Sequence, residues 1–519
     1  MDESAVRTPE APVPSGARAT APEGAVAPMA WGPVSVVAGA VAVLLLATSG
    51  RYGYFADELY FVAAGEHLNW GYADQPPLLP LIAHVMDTLF PGSLVALRLP
   101  ATVLTALGVV VAVQIARELG GRRRAQVTTA AVAAIGTVVN GHLLATNAFD
   151  GFLWALVSWL VVRWVRLREE GRRDDRPLLW AGVATAVALQ VKFLIPVLWP
   201  ALAAAALAVG PRDLPRRPLL WAGAAITLLT MLPGLAWQAG NGWPQFEMVR
   251  TVSEEVSISG GRALFLPLVL AQPGLLAGSV LAWYGLWRLL RSPLLRPYRF
   301  YGVAAVTVIM VFWLAGGRWY YVIGLFPVLW SAAAVELQRR RPARWWRWVP
   351  TWPVLALSVL PSLYWLPVLP ADQVRQPGPG ENPGVGLVTI GQFGWPEFTD
   401  AVGRAYRALP PDERRDAVVM TRVYWQAAAI EFYGPERGLP RPYSGSRGYW
   451  YFGAPPQGTR TVLYVGDEAG RLRTYFGDVR RVATVDTRLG LEAGTPIWLC
   501  RDPRAPLPEL WPEFRRMAV

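Results

Sequence analysis

The sequence predicts a polytopic α-helical membrane bundle of about eleven transmembrane helices, followed by a C-terminal α/β domain outside the cytoplasm. Three observations predict it. The 519 residues are 53% hydrophobic and only 17% charged, against roughly 25% charged in soluble domains. The shortage of charge is concentrated: Trp31 to Pro370 is a series of apolar runs, and from Ala371 onward charge, Gly and Pro return. Basic residues sit in short clusters between the apolar runs, as cytoplasmic loops do under the positive-inside rule.

In chain order, residues 1–30 open with a stretch rich in Ala, Pro and Glu, which predicts a disordered cytoplasmic tail. Trp31 to Ser49 is long enough to cross a hydrocarbon core, and no small-residue cleavage site follows it, so it reads as an anchor. Residues 50–92 mix aromatic, polar and apolar residues. Within them Asp57–Leu68 and Leu78–Phe90 read as short helices lying at the membrane interface. The later apolar segments are Leu94–Ala116, Val127–Leu144, Phe152–Val165, Leu179–Phe193, Leu194–Val209, Leu219–Trp237, Leu264–Leu286, Phe300–Ala315, Tyr320–Val335 and Trp348–Leu369. These complete a transmembrane domain over residues 31–370.

The basic clusters Arg122–Arg124, Arg166–Arg173, Arg212–Arg217, Arg288–Arg299 and Arg339–Arg347 then face the cytoplasm. The opposite face receives residues 50–92, the Asn147–Asp150 turn, the Lys192 turn, the Gln238–Arg262 loop and Gly316–Trp319. Residues 371–519 follow on that outer face. Strand-like runs (Ala417–Met420, Thr461–Val465, Thr495–Leu499) alternate there with helix-like ones (Pro396–Leu409, Gln426–Tyr433, Arg471–Phe476), which predicts an α/β domain. Gln376–Gly380 reads as a linker.

The formal charge is +12. Its placement in inter-span loops argues for a membrane surface and against nucleic acid. A single cysteine, Cys500, excludes an intramolecular disulfide and cysteine metal sites. Lys192 is the only lysine in the chain.

The unusual polar residues fall on the predicted outer face. Asp57 and Glu58 lie about one helical turn beyond the first span, and two carboxylates near a bilayer are costly unless solvated or used. Adjacent residues point to different sides of a helix, so one can face a cavity while the other pairs or caps. An aspartate there can accept a proton from an attacking hydroxyl; the alternative is helix capping. Asp74 and Gln75 precede Pro76-Pro77, and Asp74 alone reads equally as an N-cap. Asp150 heads an apolar run, as an N-cap or as a second acid on the face of Asp57. Lys192 is a charge within a long apolar stretch, which suits a phosphate ligand or a snorkelling side chain. Arg250, Arg262 and Arg318 are candidates for gripping a phosphate. Tyr320 and Tyr321 form an aromatic edge beside Arg318, where interfacial aromatics are expected in any case.

Other chemistries find no support in the sequence. It has no phosphate loop of the Walker type, no dinucleotide fingerprint and no HExxH helix. His67, His84 and His142 are scattered, which argues against a histidine-rich metal centre. A carboxylate site for a divalent metal ion stays open.

Tyr54-Phe-Ala-Asp57-Glu58-Leu-Tyr60-Phe and Gly71-Tyr-Ala-Asp74-Gln75-Pro-Pro-Leu, set behind an apolar first span, resemble the GT-C glycosyltransferases. Within these the chain is similar to glycosyltransferase family 39, the protein mannosyltransferases and aminoarabinose transferases. The resemblance covers most of residues 31–370. It implies transfer of a sugar from a polyprenyl-phosphate donor to a lipid, glycan or protein acceptor outside the cytoplasm. It also implies Asp57 as the base or acceptor-orienting carboxylate, Glu58 as its support, Asp150 as a second acid and Lys192 as a holder of the lipid phosphate. Gln75 stands where many relatives carry His. The rival readings are a transporter or lipid flippase, for which the sequence shows no internal repeat, and a non-catalytic membrane scaffold.

Overall fold

The computed structural model describes residues 26–258, 260–340, 342–378 and 386–519. Most of the expected tail and the end of the expected linker lie outside them. The described residues between 31 and 339 form a helical bundle: α1 (Trp31–Ser49), α2 (Ala56–Gly65), α3 (Leu78–Leu89), α4 (Leu94–Glu118), α5 (Arg123–Thr137), α6 (Thr146–Glu169), α7 (Arg176–Leu189), α8 (Leu198–Val209), α9 (Pro218–Gly240), α10 (Pro244–Ile258), α11 (Gly261–Ala271), α12 (Leu275–Arg291), α13 (Arg299–Leu314) and α14 (Phe326–Arg339). Two short helices, Trp352–Leu357 and Val359–Tyr364, come next.

Among the described residues six helices are long and apolar enough to cross a membrane, and four further apolar helices are shorter. The expected single span Leu264–Leu286 is instead two helices, α11 and α12, bent by 93°. The cause is local. Pro273 lacks an N–H, and Gly274 adopts φ +68°, a conformation that glycine reaches without steric cost. The Gln238–Arg262 loop likewise holds a helix, α10, whose polar composition concealed it. Bundle helices meet closely where side chains vanish: a Cβ on Gly182 of α7 would lie 2.4 Å from the Gly223 Cα of α9. Many apolar side chains point outward, among them Leu228 and Leu229 at 64% exposure. That surface is stable only against lipid, so the chain is a multi-pass membrane protein.

Residues 386–519 build around a five-stranded sheet in the order β2-β1-β3-β5-β4. The strands are β1 (Val418–Thr421), β2 (Pro442–Ser444), β3 (Thr461–Val465), β4 (Phe476–Thr484) and β5 (Pro496–Pro503). β1 pairs in parallel with β2 and β3, while β5 runs antiparallel to β3 and β4. Apolar β3 is buried along its length, which explains why it is readable as a strand. β4 is a charged edge strand, Phe-Gly-Asp-Val-Arg-Arg-Val-Ala-Thr, mostly exposed, and carries no such signal.

Because β1 and β2 run parallel, side chains just beyond their carboxyl ends emerge at one edge of the sheet, the usual ligand edge of such sheets. Helix Tyr424–Tyr433 leaves β1 there and packs on α2, with Tyr60 and Tyr424 ring centroids 4.7 Å apart. α2, expected at a lipid interface, is therefore almost wholly buried, enclosed between the bundle and this domain.

Candidate active site

The adjacent carboxylates Asp57 and Glu58 part company at the first turn of α2. Glu58 points inward and is fully buried. Its Oε2 accepts the Phe55 N–H at 2.8 Å, half of a capping box. Arg98 grips it with two bonds, Nε to Oε1 at 2.8 Å and Nη2 to Oε2 at 2.7 Å. The Leu144 N–H adds a fourth at 2.8 Å. Arg98 in turn donates to the carbonyls of Ser49 and Gly53 and to Gln392 Oε1. Glu58 thus locks α2 to α4 and to the turn before α6, and its acceptor capacity is used up. Those four bonds leave no oxygen of Glu58 open toward the side on which Asp57 lies.

Asp57 faces the other way, half-buried, and accepts a hydrogen bond from Tyr424 OH at 2.7 Å. Burial, and then the charge of Asp57, raises the Tyr424 phenol well above its ordinary range, so the hydroxyl stays protonated and keeps donating. Asp74 accepts from Tyr60 OH at 2.9 Å. Burial raises the Asp74 carboxyl, and the Arg447 charge is the first influence to oppose it. Capping accounts for neither aspartate, since the N-caps of α2 and α3 are Phe55 and Pro77.

Asp150 lies in the second turn of α6, past its N-cap Ala145, so it is not a cap either. It is buried and accepts the Trp154 indole N–H at 3.1 Å. Lys192, in the turn after α7, reaches Asn147 Oδ1 at 3.4 Å. Its ammonium lies 4.6 Å from the Tyr321 ring centroid and 5.3 Å from that of Tyr320, a cation–π clamp. It is turned into the protein and does not snorkel. The charges of Asp150, Arg318 and Asp57 all act on it.

Arg318 donates to Tyr320 OH at 2.9 Å and to Glu255 Oε2 at 2.8 Å. The other oxygen of Glu255 accepts from Arg447 at 2.7 Å. One carboxylate of α10 therefore joins a bundle arginine to a domain arginine. Arg447 stands just beyond β2 and lies over the Tyr424 ring at 5.1 Å. Its backbone takes φ +47°, an uncommon state for a non-glycine residue. That state is held by its N–H to Arg516 O at 2.8 Å and its Nε to Met517 O at 3.0 Å. Next to it, a Cβ on Gly448 would sit 2.0 Å from Tyr60 OH, so only glycine lets this loop come so near Asp74.

Asp57, Asp74, Asp150, Lys192, Arg318, Tyr320 and Tyr321 are thus gathered at one end of the bundle. Arg262 is not drawn into this group: it is exposed at the start of α11, where its carbonyl accepts from Trp313. Arg250 is exposed on α10. Gln75 is buried, with Nε2 lacking a hydrogen-bond partner. Sequence reasoning does not single out Tyr424, Glu255 or Arg447. Arg447 alone falls in a run that stands out, the aromatic, glycine-rich Tyr443–Phe452, which reads equally as a core loop. Among the described residues no three His, Cys, Asp or Glu side chains converge as metal ligands would.

The family model described as dolichyl-phosphate-mannose-protein mannosyltransferase matches residues 74–237. No curated protein sequence matches the chain. Among solved structures, ArnT from Cupriavidus metallidurans bound to undecaprenyl phosphate is 17% identical with a TM-score of 0.55, covering 91% of this chain and 98% of that one. The apo state of that protein gives 16% identity and a TM-score of 0.56 over the same shares. At such identity the likeness is one of fold, and it spans both the bundle and the C-terminal domain. The family match covers residues 74–237, about a third of the chain, and the likeness to ArnT shows a shared fold.

Proposed function

We propose that the chain moves a sugar from a polyprenyl-phosphate donor to an acceptor hydroxyl or amine on the extracytoplasmic side of the membrane, where its C-terminal domain lies. One observation carries the reading. A half-buried carboxylate, Asp57, and two cations, Lys192 and Arg318, come from distant segments to the same mouth of a lipid-embedded bundle.

In this proposal the acceptor oxygen or nitrogen attacks the anomeric carbon. The carbon–oxygen bond to phosphate breaks and polyprenyl phosphate departs with the electron pair. Asp57 takes the acceptor proton as base or orients the nucleophile. Lys192, held by Asn147 and the tyrosine rings, and Arg318 stabilise the charge gathering on the phosphate. Asp150, three residues beyond Asn147 on α6, adds a negative charge near Lys192. Tyr424 and Arg447 complete the acceptor side. The acceptor is a lipid, glycan or protein.

The test gives the purified full-length protein a radiolabelled polyprenyl-phosphate sugar and membrane extract as acceptor. Label should leave the lipid with wild type and stay there with Asp57→Asn at unchanged thermal stability. Failure of wild type to release label from any donor overturns the proposal and favours a transporter or flippase.

A further inference from the structure

At the other end of the bundle the charge pattern is reversed. Arg168 lies eighteen residues beyond Asp150 on α6, about 27 Å along the axis at ~1.5 Å per residue. That is close to one hydrocarbon thickness, so the two sites face opposite surfaces of the membrane. There a cavity of about 760 Å³ is lined by Arg168, Arg212, Arg216, Arg296 and Arg299 around the α8 terminus, with Asp213 as its one carboxylate. Asp213 is already engaged by Arg168, at 2.9 Å, and by Arg217. Among the described residues no carboxylate pairs with Arg212, Arg216, Arg296 or Arg299, and Arg299 Nε is buried with no hydrogen-bond partner. Guanidiniums crowded so repel one another unless an anion sits among them.

The surroundings say what kind of anion. Leu207 and Val209, on the last turn of α8 beside the cavity, are 54% and 44% exposed. Trp221, 63% exposed, donates its indole N–H to the Pro215 carbonyl next to Arg216, as tryptophans do at headgroup depth. Charge and apolar surface therefore meet at the level where a lipid has its phosphate above and its chains below.

We propose that this cavity is a binding site for the phosphate headgroup of an anionic phospholipid, with the acyl chains lying along Leu207 and Val209. Basic recesses between membrane helices recognise such headgroups by charge. The site is separate from the transfer site and does not depend on that reading.

The test is native mass spectrometry of the full-length protein in detergent, titrated with phosphatidylglycerol and, separately, phosphatidylcholine. Wild type should retain phosphatidylglycerol in preference. Arg216→Gln/Arg296→Gln should weaken that retention about thirtyfold. Both residues are exposed and outside any described ion pair, so the fold is spared; a single Arg296→Gln, with a smaller loss, serves if the double variant melts early. Arg172→Gln/Arg173→Gln, which removes the same charge from the neighbouring loop, should retain wild-type binding. Equal retention of phosphatidylcholine, or equal loss in both double variants, overturns the proposal. Stripping of the lipid by excess inorganic phosphate also overturns it and makes the cavity a free-anion site.

Discussion

The two halves of the candidate site are built on different principles. The bundle half places Asp57, Asp150 and Lys192 in early helical turns or tight connections, with Asp150 held by Trp154 of its own helix and Lys192 by Asn147 of α6. The domain half places Tyr424 and Arg447 just beyond two parallel strands, and only the sheet topology brings them to Asp57. A charge in a membrane segment is expensive, so its presence alone advertises a role. A tyrosine or arginine in a soluble domain is cheap and advertises nothing.

If the bundle half carries the chemistry, Asp57→Asn should give the largest effect, a loss of about 10²- to 10⁴-fold in turnover, with the melting midpoint unmoved. Its neighbour offers the contrast. Glu58→Gln leaves Arg98 buried beside a partner without charge and should cost about 3–5 kcal/mol of stability, read as a lower midpoint in thermal unfolding. Equal stability of the two variants would erase the distinction between them.

Next in size is Lys192→Met, which removes a charged contact to the departing phosphate. Donor efficiency, kcat/KM, should fall about 10- to 100-fold, the worth of a charge-assisted hydrogen bond. The domain half is probed by Tyr424→Phe, which deletes one bond to Asp57. A loss of about fivefold in transfer is expected from ~1 kcal/mol. An unchanged rate would show the domain to be a cover and not a part of the site.

Much of this architecture was legible in the sequence. Apolar runs announced the bundle, and the Asp57-Glu58 pair pointed to the end at which polar side chains gather. Three features were not. The α11–α12 bend turns on Pro273 and Gly274 inside a run whose mean hydropathy looks continuous. The helix α10, which carries Glu255, is too polar on average to read as one more apolar span. Arg447 owes its place to a left-handed residue and to Gly448, whose missing side chain leaves room for Tyr60. Glu58 shows how far two neighbours in sequence can part in space. Its position beside Asp57 suggested shared chemistry, whereas the turn of one helical residue sent it to Arg98.

The division of labour between Asp57 and Lys192 is tested most directly by equilibrium binding of labelled polyprenyl phosphate to wild type, Asp57→Asn and Lys192→Met. Asp57→Asn should bind as wild type does while transferring sugar about 10²- to 10⁴-fold more slowly, and Lys192→Met should bind weakly. Loss of binding in Asp57→Asn, or full binding in Lys192→Met, would contradict the account.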